Sequence, residues 1–219
     1  MREEKKKFDN NLEILRTVIK ARGGTIYYFY YEPVAQEDEI REVELKLGIT
    51  IPEAYRLILL NVSGYFNIGF SYEKDDSASP FPDVFSGRLA WGVRTILEFE
   101  EMWRQAGASN DDFWDKSRSL YPIHTNNGGG ITAIEIEGDS VGAIYHLGMR
   151  MDDPAHKYLL AENFMELVNR LFLLGLPHWE GDCFLEFTSG PTSGLEPFGK
   201  NAETWRKYLG LDISQMKNL

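Results

Sequence analysis

The chain has 219 residues, 43% hydrophobic and 13% aromatic, enough to bury a substantial core and too apolar for a disordered segment. Thirty-four acids against 23 bases give a net charge of −11, unevenly placed: residues 1–24 hold seven bases and four acids, leaving sixteen against thirty beyond them. A body so acidic repels phosphate backbones, which argues against nucleic acid as a direct ligand, and it speeds encounter with a basic protein; the plainer role of such charge is solubility.

The N-terminus, MREEKKKFDN, goes straight into charge with no apolar core of a leader peptide. No run approaches the apolar length that spans a bilayer. Both features predict a soluble, cytoplasmic protein. From Phe8 to Arg22 the residues Phe8, Leu12, Leu15 and Ile19 form one stripe of an amphipathic helix, closed by Gly23-Gly24. Thr25–Tyr31 (TIYYFYY) is an uncharged run of β-formers. It reads as a buried or paired strand, or as an edge strand offered to a partner.

The centre of the chain is VELKLGITIPEAYRLILLNVSG, residues 43–64. Ile40, Val43 and Leu47 mark one face of an acidic helix from Gln36 to Leu47, and Gly48 supplies a left-handed stop. Pro52 fits a first helical turn, and Ala54–Val62 is apolar nearly all round, so a second helix buried on most sides is expected. Tyr65–Tyr72 has strand composition, residues 73–90 read as a long loop, and Thr95–Gln105 resumes a helix. Tyr121–His124, Ile131–Ile136 and Val141–Leu147 read as an antiparallel meander, with the polar loop Met149–Tyr158 after it. Ala161–Leu174 carries a clean helical stripe, Phe184–Phe187 reads as a short strand, and Asn201 caps a terminal helix reaching about Leu209. Helices first, strands in the middle and a helix after them predict an α+β fold, a mainly antiparallel sheet with helices packed against it.

The residues Glu44-Leu45-Lys46-Leu47-Gly48, Ile51-Pro52, Tyr55, Leu57–Leu60 and Gly64 resemble the SUKH superfamily, in the branch named after the yeast cell-wall-assembly regulator. Pro122-Ile123, the two strands after it and Leu160–Phe164 resemble that family's sheet and closing helix. The resemblance covers roughly residues 36–175; on it, 36–187 form the SUKH-like domain, 1–35 an N-terminal helix and strand, and 188–219 a C-terminal linker and helix packed on the same domain. Asn61-Val62-Ser63-Gly64 departs from the family's usual Asn-Gly-Gly. The resemblance implies a non-enzymatic binding domain: a bacterial immunity protein that neutralises a toxin, or a regulatory interaction module.

Nothing in the residues argues for an enzyme. The histidines at 124, 146, 156 and 178 lack the spacing that puts two imidazoles on one helix face. His124 and His146, near Glu135, read as structural. The segment from His178 to Cys183 sets the single cysteine among carboxylates, which raise a thiol's pKa and disfavour a nucleophile. Gly128-Gly129-Gly130 precedes a strand and lacks the Lys-Ser/Thr of a phosphate loop. No catalytic residue, cofactor or metal site is therefore expected. What remains are acidic clusters: residues 73–115 carry ten acids and four bases. Solvated helix faces and loops account for such clusters; as a site, Asp75, Asp76, Glu98, Glu101, Asp111, Asp112 and Asp115, with Trp114 as an aromatic anchor, are the candidate contacts for a protein partner such as a basic toxin domain. A scaffold or small-ligand module on the same fold is the alternative. Oligomeric state is not legible.

Overall fold

In the computed structural model, residues 2–72, 79–81, 83–107, 119–125, 130–148, 157–177 and 180–219 are described. Helix α1 (Glu3–Ala21) buries Phe8, Leu12, Leu15, Val18 and Ile19, the stripe its spacing predicts. It turns back through Gly23 into β1 (Thr25–Tyr31), the outer strand of an antiparallel sheet ordered β1-β2-β3 with β2 (Tyr65–Ser71) and β3 (Ser86–Gly92). Between β1 and β2 stand α2 (Glu37–Leu47) and α3 (Glu53–Asn61). Helix α4 (Thr95–Gly107) leads to a second antiparallel sheet, β4 (Leu120–Thr125), β5 (Ile131–Glu135), β6 (Ile144–Leu147) and β7 (Tyr158–Ala161) in sequential order. Helix α5 (Phe164–Leu173), a 3-10 turn (Glu180–Phe187) and α6 (Lys200–Leu209) close the chain. The architecture is α+β with antiparallel sheets, as the pattern of elements predicts.

One core runs from Phe8 to Leu211. On the inner face of the first sheet Phe66, Ile68 and Phe70 of β2 and Leu89 and Trp91 of β3 are buried together, since alternate residues of paired strands share a face. Phe8 stands at the centre of this layer, edge-on to Phe66, Trp91 and Phe172 with ring centroids 5.0, 5.3 and 5.3 Å away. Tyr55 of α3 meets Phe164 of α5 at 4.5 Å, and Trp205 of α6 donates its indole N–H to the Leu174 carbonyl at 3.0 Å. Both ends of the chain are thus packed into the same interior as its middle.

The two central helices are joined by charge as well as by apolar packing. Arg56 of α3 reaches Glu37 and Glu44 of α2, the latter at 3.1 Å, and Glu44 also accepts the Ile51 N–H at 2.9 Å. That partnership explains the one cation in an otherwise apolar helix. Helix α3 buries Tyr55, Ile58 and Leu59, while Ala54, Leu57 and Leu60 are half-covered.

Several boundaries differ from the reading of the residues. The stretch 73–90, expected as a loop, contains the start of β3, whose strand character comes from its register with β2 rather than from its own glycine-bearing sequence. Gly87 is required there: a Cβ would lie 2.1 Å from the Phe70 ring and 2.4 Å from the Leu176 carbonyl. Phe184–Phe187 is part of a 3-10 turn, not a strand. Residues 139–142 turn, so β6 begins only at Ile144. Tyr158–Ala161, split between an expected loop and an expected helix, is strand β7; α5 starts after Asn163, whose side chain accepts the Glu166 N–H at 2.9 Å. The terminal helix is capped at Gly199 instead of Asn201, which donates to the Glu186 carbonyl.

Candidate functional site

Helix α2 begins with a capping box: Gln36 accepts from the Glu39 backbone, and Glu39 reaches back to the Gln36 N–H at 2.7 Å. The turn before it is pinned from below. Gly64 donates to the Pro33 carbonyl at 2.8 Å and Ala35 to Leu59 at 3.0 Å; a Cβ on Gly64 would sit 2.9 Å from the Ala35 nitrogen, so only glycine fits. Gly64 also accepts the Val93 N–H at 3.0 Å, which fixes where α4 enters. The consequence is a groove between α2 and α4.

The part over the turn encloses about 670 Å³ and includes Glu32, Glu39, Tyr65, Arg94 and Glu98 in its lining. It continues along α2 into a section of about 360 Å³ that adds Glu42, Lys46 and Leu97. Four carboxylates therefore face two cations. Lys46 already pairs with Glu42 at 2.7 Å, and this hydrogen bond, aided by its charge, lowers the Glu42 carboxyl below its ordinary value. Glu32 and Glu98 are exposed at the rim. The groove offers open, charged walls around a small apolar floor of Val43, Val93 and Leu97, which suits a protruding basic side chain and its aliphatic stem.

Of the expected contact residues, Glu98 lines this groove, and Glu101 is exposed on the same helix without lining it. Asp75, Asp76, Asp111, Asp112, Trp114 and Asp115 lie outside the described residues. Glu32, Glu39 and Glu42 were not singled out from the residues: Glu39 and Glu42 belong to a helix read simply as acidic, and Glu32 stands before it.

The residues weighed for chemistry sit elsewhere. His124 and His146 flank Thr132 across β5, and both are buried. The His146 ring lies 4.4 Å from Phe184. Glu135 is three residues from Thr132, an odd step, and so points to the other face of the strand. Cys183 is buried, with its thiol 3.2 Å from the Asp83 carbonyl. Among the described residues no three His, Cys, Asp or Glu side chains gather as a metal site, and no helix is long and apolar enough to cross a membrane.

Comparison with known families decides the lineage. A family model described as the SMI1 / KNR4 family (SUKH-1) matches residues 34–170, more than half of the chain. The protein belongs to the SUKH-1 family. The matched span opens at the turn that floors the groove and includes α2, α3, α4 and most of α5. No curated protein and no solved structure gives a significant match. In this SUKH-1 protein, α1, β1 up to Tyr31 and α6 lie outside the match yet supply Phe8, Tyr31 and Trp205 to the aromatic interior.

Proposed function

We propose that this SUKH-1 protein is a non-enzymatic protein-binding module that seats a basic protein domain on the α2–α4 groove, acting as an immunity protein that occludes a toxin. The observation that carries the reading is the set of Glu32, Glu39, Glu42 and Glu98 around one groove, assembled from three separated segments of an acidic chain. Carboxylates so placed steer a cationic partner and fix its orientation. Family membership supports a binding role.

The test has two parts. The chain is co-expressed with a basic toxin domain encoded beside its gene, and cell survival is scored; binding of the purified pair is then compared at low and high salt for the wild type and for Glu39→Gln/Glu42→Gln/Glu98→Gln. Protection, with association that slows in salt and slows further in the triple variant, supports the proposal. No protection, or an unaltered salt dependence in the triple variant, contradicts it.

A further inference from the structure

The outer strand of the first sheet is unusually unguarded. Strand β1 stands at the end of the order β1-β2-β3, and among the described residues no backbone group bonds to its far side. Glu32 donates to the Tyr65 carbonyl at 3.0 Å, which sets the alternation: residues 28 and 30 turn their backbone groups toward β2, and Phe29 and Tyr31 turn theirs outward. Edge strands are ordinarily blunted with lysine, proline or charge. Here the seven residues of the strand carry none of these, and a bulge falls between Ile26 and Tyr28. Phe29 is 40% exposed and Tyr30 56% exposed, on opposite faces of the sheet. Phe29 belongs to the inner face, 6.1 Å from Phe66, so the aromatic interior simply stops at this edge.

We infer that β1 pairs antiparallel with β1 of a second copy, about a two-fold axis at Phe29, joining two three-stranded sheets into one of six. Two observations select a second copy as the occupant. The first is self-complementarity. That register places Phe29 against the partner's Phe29 on the inner face and the half-buried Tyr28 against the partner's exposed Tyr30, twice, on the outer face, so ring meets ring.

The second is charge. The edge runs beside α1, in a stretch where bases outnumber acids, so pairing here does not press two acidic surfaces together. Along this flank Lys5 pairs with Asp9 at 3.6 Å and Arg16 with Glu13 at 3.5 Å, while Arg16 lies 5.5 Å from the Phe29 ring. Each copy therefore brings both signs of charge to the seam, Lys5 and Arg16 with Asp9 and Glu13. A basic domain of the kind proposed for the groove would instead meet Lys5, Arg16 and Lys20 here. The inference rests on residues of β1, none of which lines the groove.

Sedimentation equilibrium on the full chain tests it, together with Phe29→Lys, Tyr30→Lys and Phe29→Cys. The expected result is a species of twice 25.1 kDa, whose dissociation constant rises by at least about 100-fold in either lysine variant with circular dichroism unchanged, because Phe29→Lys sets two like charges against each other at the axis and Tyr30→Lys removes both Tyr28–Tyr30 ring pairs. Phe29→Cys should form a disulfide-linked dimer under mild oxidation, since directly opposed hydrogen-bonded residues lie about 5.5 Å apart and Cys183 is buried. If Phe29→Lys does not fold, Tyr30→Lys and the cross-link decide. A wild-type monomer up to high micromolar concentration overturns the inference and leaves the edge to an extended segment of another protein. A dimer that survives the lysine variants, or that yields no Phe29→Cys cross-link, overturns it too.

Discussion

Phe8→Ala tests whether the N-terminal helix, outside the family match, is part of the SUKH-1 core. Phe8 is fully buried and meets four rings edge-on, those of Tyr31, Phe66, Trp91 and Phe172, at 5.7, 5.0, 5.3 and 5.3 Å. Truncating a buried phenylalanine costs about 3–5 kcal/mol, and each aromatic pair adds about 0.5–1.5 kcal/mol beyond its area. With four partners the upper half of the range applies, about 4–5 kcal/mol, and the aliphatic Phe8→Leu should cost about 1–2 kcal/mol. For a chain of this size each kcal/mol moves Tm by about 2–4 °C, so Phe8→Ala should lower it by roughly 8–20 °C. Urea unfolding followed by tryptophan fluorescence gives the free energy directly, and Phe198→Ala, at a ring 70% exposed, serves as the matched control with a change within about 0.5 kcal/mol. A Phe8→Ala protein no less stable than Phe198→Ala would refute the placement of α1 in the core.

Glu44→Gln removes the charge that Arg56 and the Ile51 N–H share, with both ionised side chains under a fifth exposed; a loss of about 1–2 kcal/mol is expected in urea titration, and an unchanged midpoint would count against the link between α2 and α3. Gly64→Ala forces backbone apart under the groove and should cost about 1–3 kcal/mol, with chemical-shift changes centred on Pro33–Gln36; changes centred elsewhere would contradict the pinned turn. Burial raises the Tyr55 phenol to about 12 and raises Tyr31 and Tyr72 as well, with the Asp9 hydrogen bond adding to burial at Tyr31. A phenol whose pKa is higher in the folded state stabilises fully below the unfolded value near 10, and that stability is lost as pH rises through the folded value. Stability should therefore fall above about pH 10, by roughly 3 kcal/mol for Tyr55 alone, with three tyrosines ionising only as the chain unfolds; tyrosinate absorbance tracking simple exposed titration of all eleven would refute this.

Elements with a strong period of their own were legible in the residues: α1, α2, β1, β2 and the stripe of α5 lie within a few residues of expectation. Elements that owe their state to a partner were not. The stretch Ser86–Gly92 is a strand because it registers with β2, and its glycines make way for Phe70 and Tyr65. Leu159-Leu160-Ala161 runs without a break into α5's apolar pattern, and only the cap at Asn163 separates strand from helix. Phe184-Leu185-Glu186-Phe187 is apolar enough for a short strand but is wound into a 3-10 turn. The groove was half legible. Glu98 stood out as part of an acidic run, whereas Glu32 and Glu39 become its neighbours only because Gly64 holds the Pro33–Ala35 turn beside α4's entrance.

The most direct measurement is the association rate constant between this protein and the basic domain proposed to occupy the groove, followed from low to high ionic strength by stopped-flow fluorescence. The groove account predicts a rate that falls steeply with salt in the wild type, and a slower, flatter response in Glu39→Gln/Glu42→Gln/Glu98→Gln. Superimposable salt profiles for the two proteins would contradict it.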